Sequence, residues 1–279
     1  MKMPGKLLPT ATISLALLTL TFTTSGLYAQ GSGNQTRVSA KLDAASRFLA
    51  LPPAEEQRIG NEMNDEIRKK YKVSSNQRLN SYIEYVGARL ARHSNESTTI
   101  KFTTLDDPET VNAFAIPGGY IYITTGMIDK LDNESELAAV LSHEIGHITE
   151  DHVHARIRNQ VGTKLAVGFL GKLFDKDLSG SKLVQAGNYL LTQKFSRKHE
   201  YAADTAGARI MTAAGYNPKG MVTLQDKLYK MSQGSLNIEF IASHPSSAKR
   251  RDEIAEYIRA NGLSKPGLIT NTARFNVVK

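Results

Sequence analysis

The stretch AAVLSHEIGHITEDH, Ala138 to His152, sets two histidines four residues apart with a glutamate directly after the first. In a helix of about 3.6 residues per turn, positions four apart are offset by only about 40°. His143 and His147 therefore project from one face, and both imidazoles can reach one ion. Glu144 points about 100° away, poorly placed to join the same coordination but suited to reaching a water beside it. Leu137, Val140, Leu141, Ile145 and Ile148 recur at three- and four-residue spacing, which predicts a helix carrying the motif. Asn133 or Ser135 is its capping candidate, and Glu134 and Glu136 stand near the positive end of its dipole.

Upstream, AEEQRIGNEMNDEIRKKY and LNSYIEYVGARLARH read as two amphipathic helices between Ala54 and about Arg92. TTIKFTTL and YIYITTGMI are β-rich, with the turn-forming IPGG before the second. NAFAIPGGYIYI is best read as an edge strand to which an extended peptide adds as one more strand, with Asn112, Ala113 and Phe114 beside that peptide. Downstream come the apolar VGTKLAVGFLGKLF, a core or lid helix, then a long helical pattern from Lys182 to about Ala214 that GYNP stops. Two further helices are expected at Lys219–Met231 and Ala248–Ala260, followed by a polar tail over 261–279. The elements define an α+β chain, mostly helical, with a small β-sheet beside the histidine helix. No compositional seam divides residues 53–260, which read as one domain.

The chain has 279 residues, 41% apolar and 22% charged, enough to bury a sizeable core. Its start, MKMPGKLLPTATISLALLTLTFTTSGLYAQ, places Lys2 and Lys6 before a short apolar run and then small residues. This predicts a signal peptide over 1–29, cleaved after Ala29 with Gly26 as the alternative, followed by a linker and helix over 30–52; a retained membrane anchor or a buried N-terminal helix is the competing reading. Without cysteine there are no disulfides and no thiolate ligands, so a metal must be held by histidine and carboxylate. Export without disulfides suits a bacterial periplasm. The net charge of +8 falls to +6 once Lys2 and Lys6 leave. The basic clusters Arg68–Lys70 and Lys249–Arg251 read as solvated helix faces, not nucleic-acid contacts, with a weak attraction to anionic membrane surfaces.

A catalytic zinc usually has three protein ligands, so two histidines leave one to be found downstream. The metzincin solution is excluded, because Glu150 and Val153 stand where that pattern needs glycine and histidine. SRKHEYAADTAGARIM offers Glu200 and, one turn later, Asp204, which can accept the outer N–H of a ligand histidine; an ordinary acidic helix face is the alternative. His154 and His199 read as surface residues.

HEIGH, RKHEYAAD and SHP, with NAFAIPGGYIYITTGMI upstream, together resemble the zinc metallopeptidases of family M48, in particular its soluble exported bacterial members. The resemblance runs from about Pro53 to Tyr257 and implies a zincin-like (gluzincin) fold. It implies one zinc on His143, His147 and Glu200, with Glu144 as catalytic base. Asp204 falls on the aspartate of the family's E-x-x-x-D pattern, His244 on its His-Pro histidine and Arg250 on an arginine often found shortly after, which is expected beside substrate. His152 matches a histidine common after the motif, while Asp151 replaces an arginine often seen before it. His244 is then either an oxyanion donor or a fourth ligand at rest. The expected activity is endoproteolysis of unfolded or extended exported polypeptides, with envelope or outer-membrane assembly proteins as candidate partners. The competing reading is a periplasmic chaperone or assembly factor whose zinc site is mostly plugged.

Overall fold

The computed structural model describes residues 53–156, 194–233 and 238–279. The expected signal peptide, the 30–52 linker and the apolar Val161–Phe174 segment lie outside the described residues. In order come α1 (Pro53–Lys70), α2 (Gln77–Ala91), β1 (Lys101–Leu105), β2 (Ala113–Ile116), a Pro117–Gly119 turn, β3 (Tyr120–Thr124), α3 (Thr125–Lys130) and α4 (Glu134–Thr149). After these follow α5 (Arg197–Ala213), α6 (Lys219–Ser232), α7 (Glu239–Ser243), α8 (Ala248–Ala260) and α9 (Ala273–Val278). No helix among the described residues is long and apolar enough to cross a membrane.

The sheet has the order β1-β3-β2, with β1 parallel and β2 antiparallel to the central β3. Alternation along β3 sends its side chains to two cores. Ile121 and Ile123 join the main core with α2 and α4, while Tyr120 and Tyr122 pack with Ile59, Met63 and Ile67 of α1. The two tyrosine hydroxyls donate to Asn61 and Asn64 at 2.7 and 2.8 Å, which fixes α1 to the sheet. Of the stretch expected to be an edge strand, β2 is one, whereas Tyr120–Ile123 lie in the central β3.

Three boundaries differ from the sequence reading, each for a local reason. Thr124 caps a helix by accepting from the Met127 N–H, so the β-rich run ends there and Thr125–Lys130 turns helical. The long pattern begun at Lys182 is interrupted at 194–196, where Ser196 caps α5 by accepting from the His199 N–H at 3.2 Å. The tail is ordered onto the domain, because Phe275 is buried and α9 forms around it.

Asn133 is the cap of α4, accepting from the Glu136 N–H at 3.1 Å. Every residue from Glu134 to Ile148 is buried, which makes α4 the central element of the domain. Its closest neighbour is α5, and glycine permits the approach: a Cβ on Gly146 would lie 2.6 Å from the Ala203 carbonyl oxygen. Facing it, a Cβ on Gly207 of α5 would lie 3.1 Å from the Ser142 hydroxyl. The histidine face of α4 and the acidic face of α5 are thereby brought into direct contact.

Candidate metal centre

His143 and His147 leave α4 on one face, and their Nε2 atoms stand 3.0 Å apart. Glu200, on the first full turn of α5, brings Oε1 to 3.3 Å from His147 Nε2 and Oε2 to 3.8 Å from His143 Nε2. His244 enters from the loop after α7, with Nδ1 3.2 Å from His143 Nε2 and 3.1 Å from Glu200 Oε1. One ligand atom from each of these four side chains lies within 4.8 Å of all the others, and all four residues are buried. A tetrahedral ion with bonds of about 2.0 Å to nitrogen and oxygen sets its donors about 3.3 Å apart. The spacing and the N/O donor set therefore fit a zinc-sized ion.

Two contacts carry the α7 loop to this place. The Phe240 N–H donates to the Val111 carbonyl at 3.1 Å, and Asn112 Nδ2 donates to Glu239 Oε2 at 3.0 Å. The His244 ring then stacks on Phe240, with centroids 4.5 Å apart. Asn112 is thus engaged with α7. Ala113 is fully buried in the main core and Phe114 stacks on Tyr122, so a peptide along β2 meets backbone more than these side chains.

Glu144 is fully buried, and neither carboxylate oxygen has a hydrogen-bond partner among the described residues. The His244 ring brings its Nε2 to 3.6 Å from Oε1. Burial pushes the Glu144 carboxyl above the usual range, the direction that makes a carboxylate a better proton acceptor near neutral pH. His147 moves the other way, held well below the ordinary histidine range by burial. Burial pulls His143 down, but its hydrogen bond to Asp204 and the negative charges of Asp204 and Glu200 together outweigh this and leave it raised. A neutral imidazole on one side and a carboxylate-backed one on the other are both consistent with metal ligation through Nε2.

Behind the donors lies a polar layer. His143 Nδ1 donates to Asp204 Oδ1 at 2.9 Å. Arg250 grips Asp204 through Nε at 2.5 Å and Nη2 at 2.8 Å, and its Nη1 ion-pairs with Glu200 Oε2. Burial opposes the charge on Glu200, but Arg250, with the hydrogen bonds from His147 and His244, more than offsets it and holds the carboxyl well below its usual range. Arg250 was expected on a solvated face or beside substrate; instead it is buried between two acidic side chains. Gln225 of α6 completes the layer, its amide oxygen best oriented to accept from Arg250 Nη2 at 3.0 Å and Nε at 3.3 Å. No motif pointed to Gln225, since only the packing of α6 on α4 brings it there. His154, expected on the surface, is partly buried and bridges Asp151 to Glu56 of α1. His199 stacks on His152 at 4.3 Å, also away from a freely solvated position.

The fold and the donor set define a zincin-like metallopeptidase domain. A family model described as Peptidase family M48 matches residues 77–258. The chain belongs to this family, whose members are metallopeptidases acting on polypeptides through a bound metal. It is similar to the beta-barrel assembly-enhancing protease of Escherichia coli strain K12, 27% identical over 82% of this chain and 48% of the relative. It is also similar to the metalloprotease LoiP of the same strain, 32% identical over 55% of this chain and 61% of the relative. To the mitochondrial metalloendopeptidase OMA1 of Arabidopsis thaliana it is 32% identical, over 52% of this chain and 29% of the relative. The chain spans about half the length of the first of these curated relatives.

Proposed function

We propose that the chain is a zinc-dependent endopeptidase of the bacterial envelope, with His143, His147 and Glu200 as ligands and Glu144 as general base. The observation that carries this reading is the convergence of three N/O donors within zinc-ligand spacing, beside a buried carboxylate without a hydrogen-bond partner among the described residues. Zinc bound there would supply Lewis acidity, acidifying a water and polarising the scissile carbonyl. Glu144 takes up the proton released as the water attacks and returns it to the leaving amine. Asp204 holds His143 in the tautomer that presents Nε2, and Arg250 fixes Asp204 and Glu200 together. Extended polypeptide adds along β2. Residues 1–29 act as an export signal, residues 53–260 form the catalytic domain, and the substrates are misfolded or misassembled envelope proteins. The name of the first relative supports that last choice.

The test is zinc content measured together with casein cleavage. Glu144→Gln is expected to keep a full equivalent of zinc and lose most turnover, since an amide cannot take up the proton. Turnover equal to wild type would remove Glu144 from the mechanism, and with it this reading.

One observation favours a second reading, that of an assembly factor with a plugged site: His244 Nδ1 stands among the donor atoms. The opposite edge of its ring faces Glu144, the side on which an oxyanion would be met. His244→Ala at saturating zinc separates the two. A fall of about 100- to 1000-fold is expected for loss of an oxyanion donor. A rise in turnover would instead favour the plug.

A further inference from the structure

His147 Nδ1 lies 3.1 Å from His152 Nδ1, both rings being buried. One of the two nitrogens must carry the proton and the other must accept it. A histidine that offers Nε2 to a metal has its proton on Nδ1, so His147 is the donor and the bare Nδ1 of His152 is the acceptor. We infer that His152 is a positioning residue that orients His147 through this imidazole–imidazole hydrogen bond, the counterpart of Asp204 behind His143.

Helical periodicity alone would not deliver this contact. Positions five apart on a continuous helix are rotated by about 140°, so residues 147 and 152 would face nearly opposite ways. The chain instead breaks between them. Helix α4 ends at Thr149, Asp151 adopts a left-handed φ of 60°, and helix resumes at His152. Aspartate is one of the few residues that tolerate this conformation. The reversal swings His152 back under His147.

The ring is then held in place from the other side. His199, in the first turn of α5, stacks on His152 with centroids 4.3 Å apart and planes 26° from parallel. The Ser196 cap fixes that turn, and the next residue is Glu200. One turn of α5 thus supplies a donor to the site and the buttress for the partner of another. A neutral acceptor suits this position electrostatically. Glu144, Glu200 and Asp204 are already buried around the site, and a further carboxylate beside His147 would add a fourth buried negative charge.

This inference rests on the ligand set proposed above, so the test separates the two. Apparent zinc affinity is measured by chelator competition at one fixed pH, on the full chain, for His152→Phe, His152→Asn and His143→Ala. Phenylalanine keeps a ring but no acceptor, whereas the asparagine carbonyl sits close to where Nδ1 was. The expected result is about 10- to 100-fold weaker binding for His152→Phe, with His152→Asn near wild type. The Co(II)-substituted protein should show an altered visible spectrum for His152→Phe and a recovered one for His152→Asn. Should His152→Phe not fold, His152→Leu takes its place. Wild-type affinity in the acceptor-free variant, or equal weakening in His152→Asn, overturns the role of His152. Full zinc retention by His143→Ala overturns the ligand set itself, and the inference with it.

Discussion

At the scale of single residues, the centre is a problem in buried charge. Three carboxylates share a volume from which water is nearly excluded, and the arrangement holds because Arg250 faces both Glu200 and Asp204 while Arg156, over the Phe195 ring, adds its charge beside Glu144 and Glu200. Asp204 has two tasks in it: it accepts the His143 N–H and it is the bidentate partner of Arg250. Asp204→Asn keeps an acceptor for His143 but removes the negative charge that makes the imidazole a stronger donor, and it leaves Arg250 with one acidic partner. We expect zinc affinity to fall about 10- to 100-fold, read by chelator competition. Affinity and casein turnover both at wild-type level would reduce Asp204 to an ordinary ion-pair partner. The sequence could place Asp204 behind a ligand because it lies one turn after Glu200. It could not place Gln225, whose only claim to the site is the packing of a distant helix.

Between elements, the decisive feature is how closely α4 and α5 approach. Five functional side chains are split three and two between these helices, and the distances across the pair are set by the interaxial separation. Gly146 sits between His143 and His147 in sequence but on the face that meets α5, where the Ala203 carbonyl leaves no room for a Cβ. Gly146→Ala must therefore push the helices apart or bend one of them. Overpacking of this kind costs about 1–3 kcal/mol, even though alanine is the better helix former. We expect lower stability in urea and weaker zinc binding in the same variant, because both depend on one distance. A variant that loses neither would show that the helices can separate without moving the donors. Periodicity predicted both helices and the face each histidine occupies, but it carries no information on separation. The glycine in HEIGH was visible as a letter, and its reason appears only across the interface.

For the molecule as a whole, the sequence was most informative where chemistry imposes short-range spacing and least where distant segments close on one another. HEIGH, the capping Asn133 and the single apolar face of each amphipathic helix were legible because all are relations within a few residues. The return of His152 onto His147 was not, since it depends on a break at Asp151. The burial of Arg250 was not, since a basic triplet on a helix reads as solvated. The polar tail was misjudged for the same reason: its one aromatic residue, Phe275, gives no periodic signal, and its backbone contacts give none at all. The tail nevertheless completes the start of α4. The Thr270 carbonyl accepts from the Ser135 N–H at 2.9 Å, and Asn271 Oδ1 accepts from the Glu134 N–H at 3.2 Å. Both are donors that a helix start leaves unpaired. Glu134, itself buried, receives the Tyr216 hydroxyl at 3.0 Å and that of Thr272.

What holds this tail down is Phe275, which is 1% exposed and packs against Tyr82 of α2 with centroids 6.3 Å apart. Phe275→Ala removes a fully buried ring and leaves a cavity, a change that typically costs about 3–5 kcal/mol. The loss should fall on the fold and not on the donors. His143 lies nine residues into α4 from Glu134, about 13 Å along the axis, and its own partners come from α5 and α8. We therefore expect Phe275→Ala to unfold at markedly lower urea with an unchanged denaturant slope, while the zinc affinity of the folded protein stays at wild type. A change below about 1 kcal/mol would mean the tail is not packed through this ring, since even partial relaxation of the cavity leaves the transfer term. A large fall in zinc affinity would instead mean that strain at the start of α4 is transmitted along the helix to the donor atoms. The tail would then belong to the geometry of the metal centre as well as to the stability of the domain.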